Sequence, residues 1–197
     1  MGVTVIVEKN AISARWLIIE ALMKLLVGSS FDTITVGAIV RKAGVSRSSF
    51  YVHFLDKFDL MEQLTTKILG ELEDHYETTH WNDENIQLLR TSCNNKVPLP
   101  TTVVILEHIR KYEYFYRDRY REPAFVVRLS ELLGSHLKIF KDETFAIFLA
   151  YGTVGYIGRW LSEGLKSPVN ELALRLTNVA RLSLQHVWLE EPFVELE

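Results

Sequence analysis

One cysteine, Cys93, stands alone among 197 residues, so no disulfide can close within the chain and nothing asks for an oxidising compartment. Long apolar runs are lacking as well. The most apolar stretch, Phe145–Gly158, stops at Arg159, short of the roughly 18 to 20 residues a membrane-spanning helix needs. Met1–Val7 has no cation ahead of an apolar core, and Ile6 occupies the place where a myristoylated chain carries Ser or Thr. Neither a secretory signal nor that lipid anchor is therefore expected, and the chain reads as soluble and cytoplasmic. Catalytic patterns are missing too: there is no HExxH, no phosphate-cradling glycine loop and no GxSxG. His75 and His80 are five apart, off the spacing of three or four that aligns two metal ligands on one helix face. An enzyme, a cofactor and a metal centre are not expected. Strand-like alternation is confined to Thr4–Val7, too short to build on, and no repeat is visible.

What is present is apolar, helical and unevenly charged. A hydrophobic fraction of 48% excludes a disordered chain. Through Phe58 the basic residues Lys9, Arg15, Lys24, Arg41, Lys42, Arg47 and Lys57 outnumber Glu8, Glu20, Asp32 and Asp56, for a local charge of +3 within a chain of net −3, which leaves −6 on the rest. A basic end on an acidic body suits one anionic partner at one end, although solvated surface charge gives the same imbalance.

Ile12, Trp16, Ile19, Met23 and Leu26 recur at steps of four and three and end at Gly28, which predicts a first amphipathic helix. Thr35 is placed to cap a second, short helix with Val36, Ile39, Val40 and Ala43 on one face. Gly44 then supplies a turn, and Ser46 caps a third helix ending near Phe54. Asp56 caps a fourth with Leu60, Leu64, Ile68 and Leu72 on one side; running to about Thr79, it would be roughly 33 Å long. Residues 82–102 read as a loop, after which helices are expected near 103–117, 123–141, 143–164 and 168–189. The fold class is all-α: a three-helix, helix-turn-helix segment at residues 1–56, followed by a larger helical block at 57–197.

Two short helices joined by Ala43-Gly44-Val45-Ser46 let the first cross a phosphate backbone while the second enters a major groove. Val36, Ile39, Val45, Phe50 and Phe54 supply a small core, leaving Arg47, Ser48, Ser49, Tyr51 and His53 to face outward. Arg pairs with guanine in bidentate fashion, Ser bonds bases or phosphates, and Tyr hydroxyls reach phosphate oxygens. Thr35 and Lys57 stand at helix starts, where the positive dipole end favours a phosphate. Each residue also has a plainer reading: Tyr51 and His53 can simply cover the small core, and Ser48 can be an ordinary surface residue.

From Ile12 to Leu64 the chain resembles regulators of the TetR/AcrR family. A helix ending in Gly28, the entry Thr35-Val-x-x-Ile39, the turn Ala43-Gly-Val-Ser46 and the exit Phe50-Tyr-x-His-Phe-x-x-Lys57 all stand as the family has them. The resemblance implies a DNA-binding transcription regulator, a ligand-responsive repressor acting as a homodimer on a palindromic double-stranded operator. It implies that Thr35, Tyr51 and Lys57 hold phosphates, that Arg47, Ser48 and Ser49 lie against base edges, and that His53 sits near the backbone. The chain departs at Val40, where a small Ala is commoner, and at Ser48, where Gly is frequent; both bear on operator preference.

The resemblance also implies dimerisation through the last two long helices. Gly152, Gly155 and Gly158 fall at spacings of three beside Tyr156, and close approach of another helix would offset the cost of up to about 1 kcal/mol for each such glycine. Leu172, Leu176 and Val179 share a face of the last helix and complete the expected interface. Middle helices in the family enclose an effector pocket, for which Tyr112, Phe115, Tyr116, Phe125 and Phe148 are the candidates, with Arg117, Arg119 and Arg121 nearby; an aromatic stripe of this kind also suits plain core. A looser resemblance around Phe148, Tyr151, Gly155, Trp160, Leu161 and Gly164 is to a branch of the family that includes activators of dihydroxyacetone-utilisation operons. Two other readings stay open: a TetR-like co-activator, and a helical adaptor that never touches DNA.

Overall fold

A computed structural model describes residues 2–77, 97–135, 137 and 143–188, with side chains described from 14 to 75, from 97 to 135, at 137 and from 143 to 180. Among these residues the secondary structure is wholly helical. The helices are α1 (Gly2–Leu26), α2 (Val36–Ala43), α3 (Arg47–His53), α4 (Lys57–Glu77), α5 (Pro100–Lys111), α6 (Glu113–Arg119), α7 (Pro123–Ser135), α8 (Glu143–Ser162) and α9 (Val169–Trp188), with a short 3-10 turn at Phe31–Thr33. Thr4–Val7 lies inside α1. None of these helices is long and apolar enough to cross a membrane.

The chain divides into two compact units. The first runs through Glu71 and adds Tyr114–Arg121; the second takes Leu72–Glu113 and Glu122 onward. The boundary read from the sequence, at 56/57, falls inside the first unit, because Leu60, Leu64 and Ile68 of α4 belong to its core. The helix expected over 103–117 is two helices broken at Tyr112, whose φ of −109° and ψ of 30° leave the helical region. No glycine or proline marks that break, so the sequence carried no signal of it.

In the first unit α1 packs on α2 and α3. Its buried stripe is Ile18, Ile19, Leu22 and Leu26. Trp16, expected on that stripe, is 55% exposed and lies under Lys67, whose Nζ is 4.8 Å from the ring centroid. Phe50, Ile39 and Leu60 are fully buried and Phe54 nearly so; each side chain removed from water contributes about 2 to 3 kcal/mol. Phe50 and Phe54 meet at 5.6 Å between ring centroids, and the Arg15 guanidinium covers Phe54 at 5.6 Å.

In the second unit α7 packs on α8, and α5 on α9. The inward positions of α8 are Ala146, Ala150, Val154, Ile157 and Leu161, a run of fours and threes that is one helix face. Ala150 stands 3.6 Å from where a Cβ on Gly134 of α7 would be, an ordinary contact between small residues. Thr177 of α9 accepts a 3.0 Å hydrogen bond from the Leu99 amide just before α5, and Trp160 Nε1 donates to the Ser167 carbonyl at 2.9 Å, tying the end of α8 to the start of α9.

Candidate nucleic-acid interface

Local chemistry sets the two helices of the helix-turn-helix. The Thr35 hydroxyl accepts from the Ala38 amide at 3.1 Å, and Ser46 Oγ accepts from the Ser49 amide at 3.0 Å. Each fills one of the amide positions a helix start leaves without an internal partner. Between them Gly44 has φ of 70°, a left-handed conformation that a side chain with Cβ resists. The Gly44 amide donates to the Val40 carbonyl, so α2 stops there and the chain turns into α3.

Phe50 pins α3 against the core, and helical geometry fixes what faces away from it. At 100° per residue, Ser48 and Val52 lie within about 20° of the pole opposite Phe50, with Arg47 and Tyr51 to one side. Arg47 and Ser48 are exposed, Tyr51 is 55% exposed and Val52 74%. Ser49 and His53 are half-buried, the latter beside Phe54 with centroids 6.3 Å apart. Ser48 Oγ is 2.8 Å from Ser46 Oγ. The Arg47 side chain runs back over the first turn of α2: a Cβ on Gly37 would stand 3.1 Å from its Nη2. Val52 is not among the outward residues read from the sequence; its place four residues after Ser48 was the available signal.

The structure redraws Lys57. Its ammonium donates to the carbonyls of Phe31, Asp32 and Ile34 at 3.0, 2.9 and 2.9 Å and lies 4.8 and 5.3 Å from the ring centroids of Phe31 and Phe58. A lysine ammonium has three protons, and all three are engaged within the protein, so Lys57 anchors the 3-10 turn where a phosphate contact was expected. The start of α4 is instead set by Asp56, whose Oδ1 accepts from the amides of Phe58 and Asp59, both at 2.8 Å. Asp59 Oδ2 reaches back to the Leu55 amide at 2.8 Å. That amide, helped by the Gln63 side chain, holds the Asp59 carboxyl below the ordinary carboxylate range.

The other expected sites are scattered. Phe115 and Tyr116 are fully buried in the first unit, whereas Phe125 is buried in the second. Tyr112 packs on His108 with centroids 5.0 Å apart, and Phe148 is 72% exposed. None of the five lines the apolar cavity of about 100 Å³ in the second unit, whose walls include Leu106, Leu133, Leu149, Ile157, Leu176 and Thr177. Nor do the arginines gather at a pocket: Arg117 covers Tyr114, Arg119 covers Phe31, and Arg121 donates to Ser30. Of the expected interface, Gly152 and Gly155 are exposed with open space above them, Val179 is 51% exposed and Tyr156 is half-buried. Leu172 is buried in the protomer's own core, and the half-buried Leu176 lines the cavity. Among the described residues no group of three or more His, Cys, Asp and Glu is placed to hold a metal.

Residues 18–64 match the sequence profile of the family described as bacterial regulatory proteins, tetR family. Residues 18–64 are a TetR-type helix-turn-helix domain. No curated protein matches it as a sequence relative. Its fold, however, is that of solved TetR-type regulators. It is similar to a dihydroxyacetone kinase operon activator, DhaS, at 14% identity and a TM-score of 0.59 over 88% of this chain and 97% of that one. A tetR-family transcriptional regulator from Streptomyces coelicolor aligns at 18% identity and 0.59 over 91% and 90%. The regulator FadR from Bacillus subtilis, solved in complex with stearoyl-CoA, aligns at 14% and 0.52 over 83% and 96%. At these identities the shared property is the TetR fold. The profile match covers both caps, Gly44 and the whole of α3.

Proposed function

We propose that this chain is a cytoplasmic transcription regulator that binds a palindromic operator as a homodimer and releases it in response to a small molecule, acting as a repressor. The observation that carries the reading is the capped helix-turn-helix, in which a buried Phe50 orients Ser48, Val52, Arg47 and Tyr51 outward. Arg47 supplies bidentate base reading, Tyr51 a phosphate contact, and exposed Arg41 and Lys42 at the end of α2 add positive charge beside them. Thr35, Ser48, Ser49 and His53 fill out the same surface.

The dimer reading draws on the second unit. Phe148, Tyr151 and Ile147 are exposed beside Gly152 and Gly155 on one side of α8, and a bare apolar face with glycines at its centre suits a closely approaching helix. Two α3 helices about 34–36 Å apart would then reach successive major grooves. The effector reading draws on the apolar cavity. Its lining carries no ionisable side chain, and at about 100 Å³ it is smaller than the roughly 300 Å³ at which drug-sized pockets begin. The chemistry that fits is a small, neutral, apolar molecule.

Recovering and sequencing the fragments that purified protein retains from sheared genomic DNA tests the reading. A palindromic consensus is expected, with affinity falling by about 0.9 log units per log unit of salt for each phosphate contacted. Failure to retain any duplex in dilute buffer would overturn it. A reporter placed behind the recovered operator reads the sign of regulation, with repression expected and activation the contrary result.

A further inference from the structure

The 3-10 turn that precedes α2 is held from a distant part of the sequence. Asp118, 8% exposed and 87 residues downstream, accepts the Phe31 amide proton at 2.9 Å. Arg121 Nη1 donates to Ser30 Oγ at 3.2 Å, and the Arg119 guanidinium covers the Phe31 ring at 5.6 Å while its Nη2 lies 3.6 Å from Asp118 Oδ2. Lys57 takes the carbonyls of the same turn. Phe31 is thus fixed through its amide, carbonyl and ring, and Ile34 and Thr35 follow at once: whatever displaces the turn displaces the cap of α2.

Burying a carboxylate is costly unless hydrogen bonds and charge repay it, and here the Phe31 amide and the Arg119 guanidinium stand beside it. What Asp118 adds that an apolar residue lacks is a fixed acceptor for one backbone amide. Tyr114–Arg121 belongs to the first unit, yet Glu113 before it and Glu122 after it belong to the second, so the segment is tied by covalent chain to the unit that holds the apolar cavity.

The geometry points to Asp118 as a positioning residue for operator reading: through the Phe31 amide it sets where α2 and α3 stand, without touching DNA. This rests on the DNA-binding reading above. An acceptor at position 118 is required, whereas a negative charge there is not.

The test measures affinity of the full chain for its selected operator and for random duplex of equal length, for the natural protein, Asp118→Ala, Asp118→Leu and Asp118→Asn. The Leu variant keeps the volume should the Ala variant fail to fold, and circular dichroism verifies folding of each. Loss of the acceptor for the Phe31 amide is expected to weaken operator binding by about tenfold in the Ala and Leu variants, with random-duplex affinity unchanged. Asn, whose amide oxygen still accepts, is expected to stay within about twofold of the natural protein. Equal operator affinity in all four proteins overturns the proposal. So does a parallel fall in operator and random-duplex affinity, the mark of a merely structural role, or an Asn variant as weak as Leu. Should the natural protein itself bind no duplex, the DNA-binding reading fails, and the positioning role goes with it.

Discussion

Lys57 donates to the carbonyl of Phe31 at 3.0 Å while its ammonium sits 4.8 Å from the centroid of the same residue's ring. Hydrogen bonds from a charged donor contribute about 1.5 to 3 kcal/mol each and are not additive, so Lys57→Met is expected to lower unfolding stability by about 3 kcal/mol, read by urea denaturation. A phosphate-binding lysine, when lost, reduces the slope of log affinity against log salt by about 0.9. Here the slope should stay as it is. A slope reduced by one phosphate with stability intact would return Lys57 to the DNA.

Ser46 makes a separate contribution that the sequence announces openly. Its hydroxyl satisfies the Ser49 amide at 3.0 Å, and Ser46→Ala should cost about 1 kcal/mol. Gly44→Ala should cost a similar amount, since φ of 70° places a Cβ in the left-handed region at about 1 to 2 kcal/mol. Thermal unfolding followed by circular dichroism separates both from the natural chain, and unchanged midpoints would mean the turn tolerates other geometries.

Both of those features were legible because they are local: a cap and a left-handed glycine depend on residues within four positions. The same holds for α3, whose buried Phe50 and exposed Arg47, Ser48 and Tyr51 follow from helical period alone. What escaped reading depends on contacts far apart in sequence. Lys57 looks like a phosphate ligand until Phe31, 26 residues away, is seen beneath it. The segment Tyr114–Arg121 looked like the continuation of α5 and the wall of a pocket; Asp118 draws it to the first unit instead. The burial of Phe148 and Leu172 escaped reading for a related reason. Periodicity says that a helix has an apolar side, not whether that side meets its own protomer or the outside, and Phe148 is 72% exposed where Leu172 is 1%.

Arg47 and Tyr51 should fail differently when altered. Removing a bidentate base contact, in Arg47→Ala, is expected to cost about 1 to 3 kcal/mol of discrimination at one operator position. Removing a neutral phosphate donor, in Tyr51→Phe, should weaken all sequences alike and leave the salt slope unchanged, because no counterion is displaced by a hydroxyl. Competition binding against a panel of single-base operator variants checks both. Identical profiles for the two variants would deny Arg47 its base-reading role.

Asp59 gives the first unit a stated response to acid. Its carboxyl is held below the ordinary range by the Leu55 amide and then by Gln63, so folding favours the ionised form. That contribution is complete above the unfolded value of about 3.9 and is lost as pH falls through the lower folded value. The difference in melting temperature between the natural chain and Asp59→Ala should therefore be present at pH 7 and shrink toward pH 2. A difference that grows in acid would contradict the assignment.

The exposed face of α8 makes the last prediction the most discriminating for assembly. Phe148 packs on so little of its own protomer that 72% of it is exposed, so Phe148→Glu should leave the fold and its melting cooperativity intact. Placed against a symmetry mate, the same substitution would bury two carboxylates, and desolvation alone costs several kcal/mol for each. Sedimentation equilibrium is expected to show a monomer for Phe148→Glu and a dimer for the natural chain. Operator affinity should fall by far more than random-duplex affinity, because only the operator rewards two recognition helices held at one spacing. A variant that remains dimeric with its operator affinity whole would move the interface off α8 altogether.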